Sequence, residues 1–419
     1  MDHFHYSNGR YLVEELPLGE VAEAVGTPCY VYSRATIERH WRVFDAAFGQ
    51  YPHKVCYSVK ANSSLAGLNL LVKLGSGFDI VSGGEMERVL RAGGDPSDVV
   101  FSGVGKSRSE IQRALQIDVG CLNLESESEL YRVAEIANEL AVKAPIAIRI
   151  NPDVDPLTHP YIATGLRDNK FGVAMQEALG VFKHAANMGS IEIKGVACHI
   201  GSQLTETGPF VDALEKVVDF VEQLTSHGIE LEHLDIGGGL GIHYHDENPP
   251  DPETYTGAVI EVLERRGCRL PVVIEPGRAI VGNAGVLLTQ VEYLKHGDHR
   301  NFAVVDAGMN DLLRPALYQG FHEIVPLQEQ GSTSCPRVYD VVGPVCESAD
   351  FLGHKRSLAI AEGDLLALRS VGAYGFVMSS VYNSRVRPAE VIVDGDRFHV
   401  VRKRETVDQL MENECLFPG

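Results

Sequence analysis

The 419-residue sequence lacks paired cysteines, long apolar runs and an excess of positive charge. Its eight cysteines are scattered and none forms a CxxC pair, which argues against a disulfide scaffold or a zinc module and predicts a reduced, cytoplasmic protein. No apolar stretch is long enough to span a bilayer, and the N-terminus has no signal-peptide pattern. The formal net charge of −20 disfavours nucleic acid and anionic membranes as partners.

The composition that is present, 44% hydrophobic and 22% charged, is typical of a globular protein, and the length suits about two domains. Residues 33–278 alternate short β-branched runs with longer stretches of helical periodicity. Eight strand-like runs begin at Lys54, Gly77, Asp98, Cys121, Ile146, Ile193, His233 and Pro271. This pattern predicts an α/β fold with a (β/α)8 TIM-type barrel. The alternative, a doubly wound open sheet, usually has a nucleotide motif at its first turn, where this chain has SVKANSS.

The remaining residues, 1–32 together with 279–419, predict a second, β-rich domain formed from both termini. Runs such as VLLTQVEYL, NFAVVDAG and RVYDVVGP are strand-like. Asn8-Gly9 and Asp394-Gly395 each lie between alternating runs and predict hairpins.

Active sites of barrel enzymes form at the C-terminal ends of the strands, and the first predicted strand ends at Lys60. A lysine on the strand face shared with Cys56 and Ser58 must be paired or functional, because a bare buried ammonium is costly. Burial also frees an amine that can form a Schiff base. A structural salt bridge is an equally good interpretation of this residue alone.

Three further strand ends carry polar or glycine-rich sequences. His199 ends the sixth strand, Gly237 to Gly239 follow the seventh, and Glu275 lies near Arg278 after the eighth. Alone, these are a structural histidine, a plain turn and an ion pair. Together with Lys60, they supply an amine, a ring-stacking side chain, an anion nest and a carboxylate, which can hold an aldehyde-bearing phosphorylated pyridine. His243 and His245 read as a polar loop, since the sequence offers no third metal ligand.

Several separated motifs resemble one known family. They are YSVKAN around Lys60, HIGSQ at His199, GGGLG from Gly237, EPGR from Glu275, DAGMNDLLRPALY from Asp306, GPVCESAD from Gly343 and GAYG from Gly372. In this order, and over nearly the whole chain, they closely resemble the diaminopimelate decarboxylases, within the alanine-racemase-like fold group of pyridoxal-phosphate enzymes. The resemblance implies pyridoxal 5′-phosphate as cofactor, with the catalytic residues Lys60, His199 and Cys346.

The resemblance also implies individual roles. Lys60 binds the cofactor covalently, His199 stacks on its ring, and Glu275 pairs with the pyridine nitrogen. The implied phosphate contacts are Ser202, Gly238, Gly239, Gly277, Arg278 and Tyr374. The implied substrate contacts are Arg278, Arg314, Tyr318, Glu347 and Tyr374. Cys346 and Glu347 are expected to come from the partner subunit of a homodimer with shared active sites.

The expected reaction is decarboxylation of meso-2,6-diaminopimelate to L-lysine and CO2, the last step of lysine biosynthesis. Glu275 favours a protonated ring and therefore a strong electron sink. Arg278 and Arg314 suit a distal carboxylate and Glu347 a distal ammonium. Cys346 is one candidate proton donor, with a bound water or Lys60 as others. Rival interpretations are a decarboxylase of ornithine, arginine or carboxynorspermidine, a non-enzymatic cofactor carrier, and a barrel without cofactor.

Overall fold

A computed structural model describes residues 2–154, 170–329 and 335–418. The chain forms two compact units. The first, here the barrel unit, comprises His40–Ile242 and Glu247–Ile280; the second, the β unit, comprises Met1–Arg39, His243–Asp246 and Val281–Gly419. Within the described ranges, no helix combines the length and apolarity that a bilayer span requires.

The barrel unit contains the eight parallel strands that the sequence predicts. In chain order they are His53–Ser58, Gly77–Ile80, Val99–Phe101, Cys121–Leu124, Ala144–Asn151, Ile191–Ala197, His233–Asp235 and Val272–Ile274. The last strand pairs with the first, Val272 opposite His53, so the sheet closes on itself. A short strand, Val173–Ala174, adds to the fifth strand outside this ring. The predicted TIM-type barrel is therefore confirmed.

Helices alternate with these strands. The helix Arg34–Ala47 precedes the first strand, and the others are Leu65–Leu74, Gly83–Arg91, Arg108–Gln116, Glu127–Leu140, Met175–Ala186, Gly208–Ser226, Pro252–Arg265 and the short Arg278–Val281. Three of them begin after a serine, Ser82, Ser107 or Ser126, whose hydroxyl accepts the backbone N–H three residues on. Such caps satisfy backbone donors that the first helical turn leaves unpaired, and so fix where each helix starts.

The β unit is dominated by sheet. Phe4–Ser7, Arg10–Val13 and Leu16–Pro17 form a three-stranded sheet. A nine-stranded sheet contains Cys29–Ser33, Gly285–Lys295, Phe302–Val305, Ile324–Pro326, Arg337–Val342, Phe351–Leu358, Leu365–Leu368, Ala389–Asp394 and Arg397–Arg402. Short helices lie at Leu18–Val25, Arg314–Tyr318 and Val407–Met411. Cys29–Ser33 pairs with both Gly285–Lys295 and Ala389–Asp394, so both ends of the chain build one sheet, as predicted.

Both predicted hairpins are present. Ser7 pairs with Arg10 around Asn8-Gly9, whose φ angles of 50° and 75° suit the tight two-residue turn that matches strand twist. The second hairpin turns one residue later than its sequence signal indicates. There Asp394 pairs with Arg397, so that Gly395-Asp396 is the loop.

Candidate active site

The side chains predicted to be functional follow their barrel strands by a few residues. Because all eight strands are parallel, their C-terminal ends lie at one end of the barrel. His199 lies two residues beyond the sixth strand and Glu275 directly after the eighth. The prediction that Lys60 is part of the first strand is wrong: the strand ends at Ser58, and a 3-10 turn, Val59–Ala61, carries the lysine. Despite this turn, the side chains of Lys60 and Ser58 both reach the same carboxylate oxygen of Asp79.

Lys60 is paired with a carboxylate. Its Nζ lies 3.1 Å from Oδ2 of Asp79, on the second strand, and Ser58 Oγ donates to the same oxygen at 2.7 Å. The Lys60 side chain is 38% exposed, whereas Asp79 is completely buried. The free-energy cost of burying a charge therefore falls on Asp79, whereas the Lys60 amine group belongs to a side chain that solvent partly reaches.

Two carboxyl groups, those of Asp235 and Glu275, interact at the ends of the seventh and eighth strands. Asp235 accepts the backbone N–H of Gly237 and the side-chain amide of Asn123, both at 2.9 Å. Burial raises the pKa of Asp235 to about 6. Burial, together with Asp235 and Asp79, raises the pKa of Glu275 well above its usual range. Burial and the two neighbouring carboxyl groups therefore favour the protonated form of Glu275, against the opposing charge of Lys60.

His199 is held as a neutral ring. Its Nδ1 accepts the backbone N–H of Gly238 at 3.2 Å, which leaves the ring proton on Nε2. Burial, with positive charge on Arg149 and Lys60, lowers the pKa of His199 well below its usual value. Arg149 is itself anchored, 3.2 Å from Glu125 and 3.2 Å from the carbonyl oxygen of His199. A neutral ring anchored at one edge can present its face to another ring.

The loops after the seventh and eighth strands pack backbone against backbone. A Cβ at Gly238 would lie 2.2 Å from the carbonyl oxygen of Glu275, and one at Gly239 would lie 2.3 Å from that of Gly201. A Cβ at Gly277 would lie 2.9 Å from the side chains of Ala61 and Ser58. The glycines therefore bring Glu275, the lysine turn and the histidine loop into contact.

Ser202 and Arg278 come together beside these loops. The Arg278 guanidinium donates to Ser202 Oγ at 3.0 Å, and the arginine is 8% exposed. A guanidinium and a hydroxyl side by side, next to glycine backbone, are suited to bind an anion such as a phosphate. This pair supports the predicted phosphate end of the site.

The remaining predicted residues belong to the β unit. Arg314, 8% exposed, and the half-buried Tyr318 lie on the helix Arg314–Tyr318. Tyr374 has a φ of 57°, in the left-handed region that non-glycine residues avoid, and it lies between Gly372 and Gly375. A Cβ at Gly372 would meet the carbonyl oxygen of Val281. Such a held, strained residue is typical of a functional position.

Cys346 and Glu347 are exposed on a loop of the β unit. Asp350 holds this loop from inside, since its carboxylate accepts the N–H groups of Val345 at 2.7 Å and Met309 at 2.6 Å. The backbone N–H of Cys346 donates to the Asn383 side chain at 2.7 Å. The loop is thus ordered, yet it presents both predicted side chains to solvent.

Sequence reasoning missed Asp79, Asn123, Arg149 and Asp235. Each is a polar residue inside or at the end of an otherwise apolar barrel strand, and each is buried. That pattern was a usable signal, because a polar residue in a barrel strand must find a partner or a function.

The barrel residues fit the cofactor that the sequence motifs imply. Oδ1 of Asp79 is buried and has no hydrogen-bond partner among the described residues, so this end of the barrel retains acceptor capacity beside the lysine amine. An amine, a neutral ring, a buried carboxyl and an anion-binding pair match the aldehyde, ring, ring nitrogen and phosphate of pyridoxal phosphate. Within the described part of the chain, no group of three or more metal-binding side chains is assembled.

Comparison with known proteins agrees with this chemistry. Residues 34–282 match the family described as pyridoxal-dependent decarboxylase, pyridoxal binding domain. A curated diaminopimelate decarboxylase of Vibrio cholerae is 56% identical over 419 residues, which cover 100% of both chains.

Solved structures give the same result. The diaminopimelate decarboxylase of Helicobacter pylori, complexed with L-lysine, has 43% identity and a TM-score of 0.91 over 95% of this chain and 99% of that one. The M. jannaschii diaminopimelate decarboxylase in co-complex with L-lysine has 37% identity and a TM-score of 0.95, over 100% of this chain and 98% of that one. The chain therefore belongs to the diaminopimelate decarboxylase family of pyridoxal-phosphate-dependent enzymes.

Proposed function

We propose that this protein decarboxylates meso-2,6-diaminopimelate to L-lysine and CO2, with pyridoxal phosphate bound at Lys60. The observation that carries the proposal is the assembly at the barrel end, where the Lys60 amine lies 3.1 Å from the buried carboxylate of Asp79, at the same strand ends as Glu275, whose pKa is raised by burial. The match to diaminopimelate decarboxylases over the full chain supports the substrate. The bound cofactor supplies an electron sink for the charge left when the Cα–carboxylate bond breaks.

Each barrel residue has a task in this proposal. Lys60 holds the cofactor covalently, and Asp79 stabilises positive charge on the lysine nitrogen. The neutral face of His199 packs on the cofactor ring. Ser202, Gly238, Gly239, Gly277, Arg278 and, from the β unit, Tyr374 hold the phosphate.

Glu275 controls a proton at the ring nitrogen. Burial and the neighbouring carboxyls of Asp235 and Asp79 raise its pKa, so the group holds a proton more readily than an exposed glutamate and can share it with that nitrogen. A protonated ring withdraws electrons more strongly. Asp235 stabilises this arrangement, since its own raised pKa favours one shared proton between the two buried carboxyls. Both effects favour breaking the bond to the carboxylate.

Substrate recognition is assigned to Arg278, Arg314, Tyr318, Glu347 and Tyr374. A guanidinium can bind a carboxylate through two parallel hydrogen bonds, so the arginines suit the distal carboxylate of diaminopimelate, and Glu347 suits the distal ammonium. Cys346 is the proposed donor of the proton that replaces the lost carboxylate, with water or Lys60 as the competing donors.

We propose that the enzyme is a cytoplasmic homodimer with shared active sites. Cys346 and Glu347 are exposed in a single chain, and so are the apolar side chains of Val381 and Tyr382, next to the Asn383 that anchors Cys346. A partner subunit would cover this patch and make use of both polar groups. All eight cysteines are free, which suits a reducing compartment. In this arrangement residues 33–278 bind the cofactor, and residues 1–32 with 279–419 supply substrate and dimer contacts.

The test measures near-visible absorbance and carbon dioxide release from meso-diaminopimelate, L-ornithine and L-arginine. Lys60→Ala is the test variant, and Lys54→Ala is its matched control, because Lys54 also pairs with a carboxylate, Asp98, at 2.6 Å. We expect a cofactor band and diaminopimelate turnover in the wild type and the control, and neither in Lys60→Ala. Turnover of another amino acid alone would contradict the substrate, and absence of a band after adding cofactor would contradict the chemistry.

A further inference from the structure

The segment His243–Asp246 lies between the seventh and eighth barrel strands in the sequence but belongs to the β unit. Its Tyr244 is buried, 6% exposed. The guanidinium carbon of Arg314 lies 4.4 Å from the centre of the Tyr244 ring, within cation–π range. The polar-loop interpretation of this segment therefore misses its most buried residue, which contacts a residue assigned to the substrate.

His322 holds the same guanidinium from another side. This histidine is completely buried, with Nε2 2.9 Å from Nη1 of Arg314 and Nδ1 2.8 Å from the carbonyl oxygen of Arg369. A guanidinium can only donate and a carbonyl can only accept, so Nδ1 carries the ring proton and Nε2 is the acceptor. The imidazole is thus fixed as one neutral tautomer.

Aromatic contacts hold the two rings in place. Tyr244 meets His322 edge to face, with ring centres 5.6 Å apart and planes at 89°. The neighbouring Phe321 is stacked by His245, with ring centres 4.0 Å apart, and lies 3.8 Å from the guanidinium carbon of Arg356. The acceptor and the aromatic face that orient Arg314 are therefore parts of one packed cluster.

We propose that His322 and Tyr244 are positioning residues that orient Arg314 to bind the distal carboxylate of the substrate. A neutral imidazole and an aromatic face fix the guanidinium without adding negative charge, so its attraction for a carboxylate is preserved. This inference rests on the proposed function, which assigns Arg314 to that carboxylate. The two residues would set specificity without touching the reacting bond.

The test uses two inhibitors that differ only in that carboxylate. L-lysine keeps the distal amino-acid centre of diaminopimelate, and 1,5-diaminopentane is the same molecule without its carboxylate. Inhibition constants for both are measured with the cofactor-loaded enzyme against meso-diaminopimelate. A general loss of structure weakens both ligands, whereas a misplaced Arg314 weakens only L-lysine.

Two pairs of variants separate orientation from packing. His322→Gln keeps an acceptor where Nε2 faces Arg314, whereas His322→Asn keeps only a donor near the Arg369 carbonyl. Tyr244→Phe keeps the aromatic face, and Tyr244→Leu removes it. Both residues are buried, so any substitution can disturb the packing around them. The conservative variants His322→Gln and Tyr244→Phe measure how much of the change in binding comes from that disturbance alone.

We expect His322→Asn and Tyr244→Leu each to raise the inhibition constant of L-lysine by about tenfold and that of 1,5-diaminopentane by less than about twofold. A misplaced Arg314 would lose charge-assisted hydrogen bonds to the carboxylate that only L-lysine has. His322→Gln and Tyr244→Phe should stay within about twofold of wild type for both ligands. Equal weakening of both inhibitors, or no change in any variant, would overturn the inference. A wild type that releases no CO2 from meso-diaminopimelate would instead contradict the proposed function, before any variant is compared.

Discussion

The Nζ atom of Lys60 lies 3.1 Å from Oδ2 of Asp79, a carboxylate with no exposed surface. Ser58 Oγ donates to the same oxygen at 2.7 Å, so the carboxylate is held in place while the lysine remains partly accessible. Because the Asp79 carboxylate is fixed and buried, its ion pair with Lys60 restricts the positions that the lysine amine can take. The position of the amine therefore depends on Asp79 as well as on the turn that carries Lys60.

Asp79→Asn removes the charge that stabilises a positive lysine nitrogen. In the cofactor-loaded variant we expect the pH-dependent change in visible absorbance to move to lower pH by about one unit, since a close opposite charge shifts a titration by about that much or more. Carbon dioxide release should fall by about tenfold, which corresponds to about 1.4 kcal/mol.

Asp98→Asn is the matched control for that variant. Asp98 pairs with Lys54 at 2.6 Å, at the start of the strands rather than at their ends. The pH dependence of visible absorbance and the rate of carbon dioxide release of Asp98→Asn should match those of the wild type. An unchanged absorbance titration in Asp79→Asn would show that this carboxylate does not act on the lysine.

Gly238→Ala tests the backbone packing between the last two barrel strands. The added Cβ would lie 2.2 Å from the carbonyl oxygen of Glu275, so one of the two loops must move. We expect the free energy of unfolding to fall by about 1–3 kcal/mol and the bound cofactor to be lost. Gly257→Ala is the control, because this glycine lies within the helix Pro252–Arg265 and a Cβ there meets nothing within 4 Å. That variant should gain about 0.5–1 kcal/mol in urea unfolding and keep its cofactor.

Glu85 should make stability depend on pH. Burial raises its pKa from 4.5 to about 7; nearby Asp79 raises it further, while the Val81 N–H, Lys60 and Arg88 oppose the shift. The folded protein then binds more protons than the unfolded chain between about pH 4.5 and 7, so this contribution to stability is complete below that window and is lost as pH rises through it.

Glu85→Gln removes the titration while retaining an acceptor for Val81. Its melting temperature should therefore rise relative to wild type as the pH increases through the window, and then stay level. Glu127→Gln is an opposite-sign control, since hydrogen bonds from His184 and Tyr131 lower the pKa of Glu127. A constant difference between Glu85→Gln and wild type across the whole range would contradict the prediction.

Shared active sites predict that two inactive variants can complement each other. Lys60→Ala and Cys346→Ala dimers, each nearly inactive, should form hybrids with one intact site after mild dissociation and mixing. Recovered diaminopimelate turnover should approach about a quarter of wild type, the statistical share of intact sites in a randomly mixed dimer. A mixture no more active than the mean of its parents would contradict sharing, and mixing Lys60→Ala with itself is the background control.

The periodicity of the sequence was sufficient to predict the barrel, because short runs rich in apolar and β-branched residues alternate eight times with longer stretches of helical periodicity. The β-rich unit followed from hairpin signals such as Asn8-Gly9, whose backbone requires positive φ angles. The register of Lys60 was not predictable, since a 3-10 turn after Ser58 has no distinct pattern. The one-residue shift of the second hairpin loop, from Asp394-Gly395 to Gly395-Asp396, was not predictable either. Asp-Gly and Gly-Asp are both favourable two-residue loops, so the sequence does not distinguish between them.

Strand ends marked Lys60, His199 and Glu275 as candidates, but their individual roles were predictable only from motif resemblance. Asp79 and Asp235 are single polar letters in the runs GFDI and HLD, and their meaning depends on which strands become neighbours. Asn123 and Asp235 are 112 residues apart along the chain yet share a hydrogen bond. Such long-range pairs follow from closure of the barrel, which single-strand patterns do not encode.

The sheet pairing of Cys29–Ser33 has a consequence for how the protein is made. This strand pairs in parallel with Ala389–Asp394, at the constant separation of 360 residues that also relates Arg34 to Asp394. At a synthesis rate of about 5–20 residues per second, the early strand emerges from the ribosome roughly 20–70 s before its partner exists. During that interval one edge of an entirely buried strand, which includes Tyr30 and Tyr32, lacks its parallel neighbour. The nascent chain therefore carries an unpaired edge of an apolar strand that the finished enzyme covers with Ala389–Asp394.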